Sequence, residues 1–286
     1  WTFPSGSLFL GPFDWEKRRS ADRKLCQEYQ SAFPYGLPTI RDKGMLGFIF
    51  FTLEETFSWL FERLQEKPVP FLGYVHLLPP HDPYNTRSEF AGQFASGWQP
   101  PHKPPHLFAS SVLATDEFLD EQRRYYDEFI LYIDAEFARL YDRLDQAGIL
   151  DNTLLILTSD HGEMFERGIY QHLTQTLYEP QTHVPLLVFK PGQKHREDVF
   201  INTNAVDLLP FLLEIAGLPV PEWCEGTPLP GFASHLPQAG HSTFVVEAKE
   251  SSKMGAFDKA TLAIYKDSYK LIHYLGYPGH EDNYEL

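Results

Sequence analysis

Residues 153–157, Thr153-Leu154-Leu155-Ile156-Leu157, form a short apolar run rich in β-formers that stops abruptly at Thr158-Ser159-Asp160-His161-Gly162-Glu163. Its length and composition predict a buried strand. A long helical pattern precedes it over 116–147, where Tyr126, Phe129, Ile130, Ile133, Phe137, Leu140 and Leu144 share one stripe and Gly148 is placed as C-cap. Ligands of open α/β sheets bind at the carboxyl ends of strands. Here that end delivers a carboxylate and an imidazole, which together are half of a divalent-metal site. Gly162 lets the backbone turn sharply after them. The plainer alternative is a turn with a solvated His, because Asp and Gly are turn formers.

The same alternation runs through the chain. Across 52–66, Phe57, Leu60, Phe61 and Leu64 recur at helical spacing, with acidic residues near the start and Arg63 and Lys67 near the end. Pro68 and Pro70 end that helix. Residues 71–78, Phe71-Leu72-Gly73-Tyr74-Val75-His76-Leu77-Leu78, read as a second buried strand, followed by Pro79-Pro80-His81-Asp82-Pro83-Tyr84. Residues 85–115 form a long loop of the kind that rims an active site. A strand is predicted at 184–189 and a helix at 206–216, closed by Gly217. This order implies an α/β fold with a largely parallel sheet covered on both faces. Beyond about residue 220, loops separate strands at 243–247, 261–265 and 269–273. The last two, joined by Lys266-Asp267-Ser268, read as an antiparallel hairpin. The expected division is an α/β domain over 1–220 and a small sheet subdomain over 221–286.

With 286 residues, 43 % of them apolar, the chain is long enough for a large core. A net charge of −15 argues against nucleic acid and acidic membrane surfaces. It also means that an anionic substrate must be drawn by a bound cation or by local donors. Cys26 and Cys224 lack metal-type spacing and imply no disulfide framework. No run is long and apolar enough to span a bilayer. The opening, Trp1-Thr2-Phe3-Pro4, reads as the middle of a protein, so the chain is expected to be a fragment cut at both ends.

Several segments, taken in order, resemble the sulfatase family of the alkaline-phosphatase superfamily. They are the opening Trp1-Thr2-Phe3-Pro4-Ser5-Gly6-Ser7-Leu8, Pro80-His81-Asp82-Pro83-Tyr84, Asp160-His161-Gly162-Glu163, Gly168-Ile169-Tyr170-Gln171-His172, Leu177-Tyr178-Glu179 with His183-Val184-Pro185-Leu186, Asp207-Leu208-Leu209-Pro210, and Tyr269-Lys270-Leu271-Ile272. The resemblance implies a three-layer α/β/α sandwich with a mostly parallel sheet and a small C-terminal antiparallel sheet. It implies a metal-dependent sulfuric ester hydrolase acting on a small-molecule or saccharide ester. Thr2 falls at the nucleophile position. His81 and His172 become acid/base or oxyanion-donor residues, and Asp160 and His161 become metal ligands. The implied metal is a divalent ion, Ca²⁺ first, with Mg²⁺, Mn²⁺ or Zn²⁺ if the chemistry is on phosphate. Phe90, Phe94 and Trp98 in the long loop are candidates for a sugar or aryl subsite, with lid packing the equal alternative.

Four departures from the family pattern define the competing readings. Thr2 replaces the Cys or Ser from which the family makes its formylglycine, which shifts weight towards direct attack on phosphate or phosphonate. Gly6 stands where the family places Arg. No lysine follows His172; Gln175 and Thr176 lie there instead. The upstream strand with the family's paired Asp ligands is not in the sequence. One alternative is therefore a phosphodiesterase, phosphonate hydrolase or phosphotransferase using Thr2, and a second is a catalytically silent binding protein. Glu163 and Glu166 are read as loop or first-turn residues rather than ligands.

Overall fold

In a computed structural model of the chain, the structure describes residues 40–41, 48–49, 52–67, 69–99, 103–106, 113–172, 174–232, 242–248, 256–279 and 283–286. They divide between two units, 1–99 with 117–153 and 100–116 with 154–286.

The first unit holds a short antiparallel pair, β1 (Ile40–Arg41) and β2 (Phe48–Ile49), and helices α1 (Leu53–Gln65) and α2 (Asp116–Gln146). Thr52 caps α1: its hydroxyl accepts from Glu55 N, and the Glu55 carboxylate accepts from Thr52 N. The two reciprocal bonds satisfy amides that a helix start leaves unpaired. Gly148 takes the left-handed conformation, φ 69°, and closes the end of α2 through Gly148 N to Asp145 O, 2.9 Å. A side chain there is strained, which is why glycine serves as the stop.

The buried stripe of α2 is rotated from the expected one. Glu128, Phe129, Tyr132, Glu136, Leu140 and Leu144 are buried, whereas Ile130 is exposed and Tyr126, Ile133 and Phe137 are only partly covered. Polar partners draw the stripe round. Tyr132 donates to Glu54, Glu136 pairs with Arg139, and Thr86 Oγ1 donates to Glu128 O at 3.0 Å. A buried carboxylate is stable only when paired.

Residues 71–78 correct the sequence reading. They form no strand, and most of their side chains face solvent, with Leu72 80 % and Tyr74 81 % exposed. An apolar run specifies a strand only when a neighbouring backbone satisfies its amides, and no ladder among the described residues includes this segment. The long loop behind it is tied to α2, with Asp120 accepting from Gly97 N and Trp98 N at 3.0 and 2.9 Å. Phe90 stacks on Tyr132, and Arg123 lies 4.3 Å from the Trp98 ring centre. Phe94 remains exposed.

The second unit holds β3 (Leu155–Thr158), α3 (Glu179–Thr182), β4 (Leu186–Phe189), α4 (Leu208–Ile215), β5 (Thr243–Glu247), β6 (Ala260–Lys266), β7 (Tyr269–Leu275) and β8 (Asn283–Glu285). β3 pairs antiparallel with β4, from Leu155 opposite Phe189 to Thr158 opposite Leu186. The last four strands form an antiparallel sheet in the order β5-β6-β7-β8. The expected hairpin is present, with Asp267 at φ 53° in its turn. Every ladder among the described residues is antiparallel. The largely parallel pairing read from strand–helix alternation is not among them, because 71–78 makes no ladder and β3 has β4 as its partner.

The core of this unit joins the stretch after β3 to the last sheet. Met164, Ile169, Leu177 and Tyr178 pack in one cluster with Ala263, Ile272, Tyr274 and Tyr277. Burial of such side chains is worth about 1.5–3 kcal/mol each. The loop carrying the Asp-His-Gly turn is thus anchored on the sheet. Among the described residues no helix is long and apolar enough to cross a membrane.

Candidate active site

β3 ends at Thr158, whose hydroxyl donates to Pro185 O at 2.9 Å and holds the strand end to the chain entering β4. Ser159 Oγ then donates to His161 O, 2.6 Å. Asp160 Oδ1 accepts from His161 N at 3.0 Å. These local bonds set the turn before any ligand is considered.

Gly162 is required by close approach. A Cβ there would lie 2.0 Å from Pro180 O, and Gly162 N donates to Gln181 O at 2.8 Å. The turn is therefore pressed against α3.

The Asp160 and His161 side chains are open to solvent, 66 % and 40 % exposed. Asp160 Oδ1 and His161 Nε2 stand 3.8 Å apart. Two donors at that separation fit one divalent cation, whose oxygen ligands lie at ~2.3–2.6 Å for Ca²⁺. His161 Nδ1 lies 3.0 Å from Gly162 O. A carbonyl only accepts, so Nδ1 carries the hydrogen and the neutral ring presents its lone pair at Nε2. A backbone carbonyl on the second nitrogen is the usual outer partner of a metal-binding His. The donor pair therefore fits a metal in chemistry and tautomer. Among the described residues no three His, Cys, Asp or Glu side chains converge into a metal-holding group.

His172 joins this pair. Its ring centre is 4.0 Å from that of His161, at 32° between planes. Its Nδ1 is 3.0 Å from Oε1 of Glu163, a carboxylate only 7 % exposed. Its backbone carbonyl accepts from the Gln181 amide at 3.1 Å. Gln181 also accepts from Thr176 Oγ1 at 3.0 Å and donates to Thr174 Oγ1 at 3.2 Å. This neutral network lies in the stretch where the family pattern calls for lysine.

The structure thus gathers Asp160, His161 and His172 in one unit. His81 belongs to the other, where its Nδ1 lies 2.6 Å from Asp82 O and its amide donates to Leu78 O at 2.9 Å. Thr2 and Gly6 lie outside the described residues. Two residues beside the site were not singled out from the sequence: Glu163, read there as a loop or first-turn residue, and Gln181. Apolar Met164 and Phe165 directly after Glu163 were the available sign that this carboxylate is buried. Nothing in the sequence marks Gln181.

The chain is similar to known proteins. A family model described as Sulfatase matches residues 21–218. Arylsulfatase K of Bos taurus is 29 % identical over 199 residues, 59 % of this chain and 36 % of that protein. The choline-sulfatase of Rhizobium meliloti (strain 1021) is 29 % identical over 188 residues, again 59 % and 36 %. The chain spans about a third of the length of these curated relatives. The solved phosphonate monoester hydrolase of Agrobacterium radiobacter superposes with a TM-score of 0.60 at 22 % identity, over 79 % of this chain and 54 % of that one. That likeness speaks for the fold, which is alkaline-phosphatase-like α/β. With the family model covering well over half of the sequence, Asp160-His161-Gly162 included, the chain belongs to the sulfatase family.

Proposed function

We propose that the chain is part of a metal-dependent sulfuric ester hydrolase, with 1–220 as its catalytic domain and 221–286 as a sheet subdomain. The observation that carries this is the Asp160–His161 donor pair, 3.8 Å apart with the His161 lone pair at Nε2, inside a segment matched by the sulfatase model. Asp160 and His161 hold a divalent cation, Ca²⁺ first. When bound, that cation supplies charge stabilisation for the ester oxyanion. The chain's own residues do the rest. His172 donates to the substrate's non-bridging oxygens and moves a proton to the leaving oxygen. A local histidine donor is needed because a chain of net charge −15 does not draw an anion by its overall field. The substrate is a small-molecule or saccharide sulfate ester.

A second reading rests on Thr2. A threonine hydroxyl at the nucleophile position attacks phosphorus directly, which makes the protein a phosphodiesterase, phosphonate hydrolase or phosphotransferase on the same scaffold. A third rests on the uncharged Thr174–Thr176–Gln181 network, which supplies no cation to the substrate and suits a silent binding protein.

The test is turnover by the full-length protein of an aryl sulfate and an aryl phosphonate diester, each with Ca²⁺ and with chelator. Chelator-sensitive release from the sulfate alone supports the first reading. Release from the phosphonate alone moves the assignment to the second. No metal-dependent release from either overturns both in favour of the third.

A further inference from the structure

Glu163 does more than follow the Asp-His-Gly turn. Its side chain is buried, yet it places Oε1 3.0 Å from Nδ1 of His172. A carboxylate oxygen facing Nδ1 accepts a hydrogen carried there, so this contact favours the Nδ1–H tautomer, which leaves the lone pair on Nε2. The residue is held at two further points, one on its backbone and one on its ring. The Gln181 amide donates to the His172 carbonyl at 3.1 Å, and the His161 ring lies against it at 4.0 Å between centres. The turn beneath is closed by Gln171 N donating to Met164 O at 3.1 Å, with Gln171 at φ 69°. Glu163 is the contact that selects between the two ring nitrogens.

We infer that Glu163 is a positioning residue that fixes the tautomer and orientation of His172, leaving Nε2 as the atom that exchanges the proton. The inference rests on the proposed role of His172 in ester hydrolysis. The logic is that of a carboxylate orienting a catalytic imidazole, where substitution of the carboxylate yields the wrong tautomer and costs about 10⁴-fold in kcat.

The experiment is a long-range ¹H–¹⁵N spectrum of the full chain labelled at histidine, without metal, at pH 9, where an unperturbed imidazole is neutral. His172→Gln identifies the His172 signals. The wild type is expected to show His172 protonated at Nδ1. Glu163→Gln, the same carboxylate-to-amide exchange as in that precedent, and Glu163→Ala are both expected to shift the population to Nε2–H. In the active enzyme, Glu163→Ala and Glu163→Gln should each lower kcat at least ~10²-fold with KM changed less than about threefold. An Nε2–H tautomer in the wild type, an unchanged tautomer in Glu163→Ala, or a tautomer shift without loss of kcat overturns the inference. If Glu163→Ala fails to fold, the wild-type and Glu163→Gln spectra decide. A wild type without turnover removes the hydrolase reading, and the tautomer alone then decides for or against Glu163.

Discussion

The Tyr178 hydroxyl donates to Glu285 Oε2 at 3.0 Å, joining the loop behind His172 to strand β8 across 107 residues. Tyr274 donates to the same oxygen at 3.0 Å, and Arg167 and Lys103 pair with Oε1 at 3.4 and 3.2 Å. Arg167 also lies 3.9 Å from the Tyr178 ring centre. One carboxylate thus collects four donors from four parts of the second unit.

Replacing Glu285 with Gln removes the charge that these donors share. Hydrogen bonds to a charged group contribute about 1.5–3 kcal/mol, so urea denaturation should show a stability loss of roughly 2 kcal/mol with an unchanged m-value. A loss below about 0.5 kcal/mol would mean that the node is only surface pairing.

The same carboxylate sets a pH dependence. Burial raises the Glu285 pKa, but hydrogen bonds from Lys103, Tyr274 and Tyr178 more than reverse this and hold it below the ordinary carboxylate value. A folded pKa below the unfolded one gives stability that is fully present above the unfolded value, ~4.3, and is lost as pH falls through the folded value. The stability gap between wild type and Glu285→Gln should be flat from about pH 7 to pH 5 and close below about pH 4. A gap that widens on acidification would contradict this assignment.

Gly162→Ala tests the seat of the Asp-His-Gly turn. The added Cβ meets Pro180 O at 2.0 Å, and a backbone carbonyl has little freedom to withdraw. Overpacking of this kind costs about 1–3 kcal/mol. Thermal melts should show the destabilisation, and turnover should fall because the displaced turn carries Asp160 and His161. Wild-type stability and activity in this variant would show that α3 moves freely.

Asp160→Asn and His161→Ala test the ligand assignment. Each should weaken Ca²⁺ binding in calorimetry by more than the ~10–100-fold typical of losing an outer-shell partner. Asp160→Asn should not alter folding stability without metal by more than about 0.5 kcal/mol, since the Asp160 side chain is 66 % exposed. Unchanged Ca²⁺ affinity in both variants would remove them from the metal site.

Local signals were legible in the sequence where the physics is local. The strand ending at Thr158, the Gly148 stop and the hairpin about Asp267 each follow from a few adjacent residues. Residues 71–78 were misread because pairing depends on a partner that apolar content does not specify. The α2 stripe was misplaced because Glu136 looks like a surface residue until Arg139 supplies its partner. In the site, Asp160, His161 and His172 were read from a family pattern, whereas Glu163 and Gln181 act through contacts that no spacing rule encodes. The tie between the loop after the Asp-His-Gly turn and the C-terminal sheet was equally hidden, being a packing relation between residues roughly a hundred apart.

That tie has a consequence for biosynthesis. Arg167 meets Glu285 across 118 residues. At the usual ~5–20 residues per second of synthesis, roughly 6–24 s separate the making of the two. During that interval the ribosome has delivered the histidine loop but not the carboxylate that secures it. Met164, Ile169, Leu177 and Tyr178 stay uncovered until the sheet is translated, so the nascent chain exposes a sticky apolar surface at the loop after the Asp-His-Gly turn, and that loop is where a chaperone has most to protect.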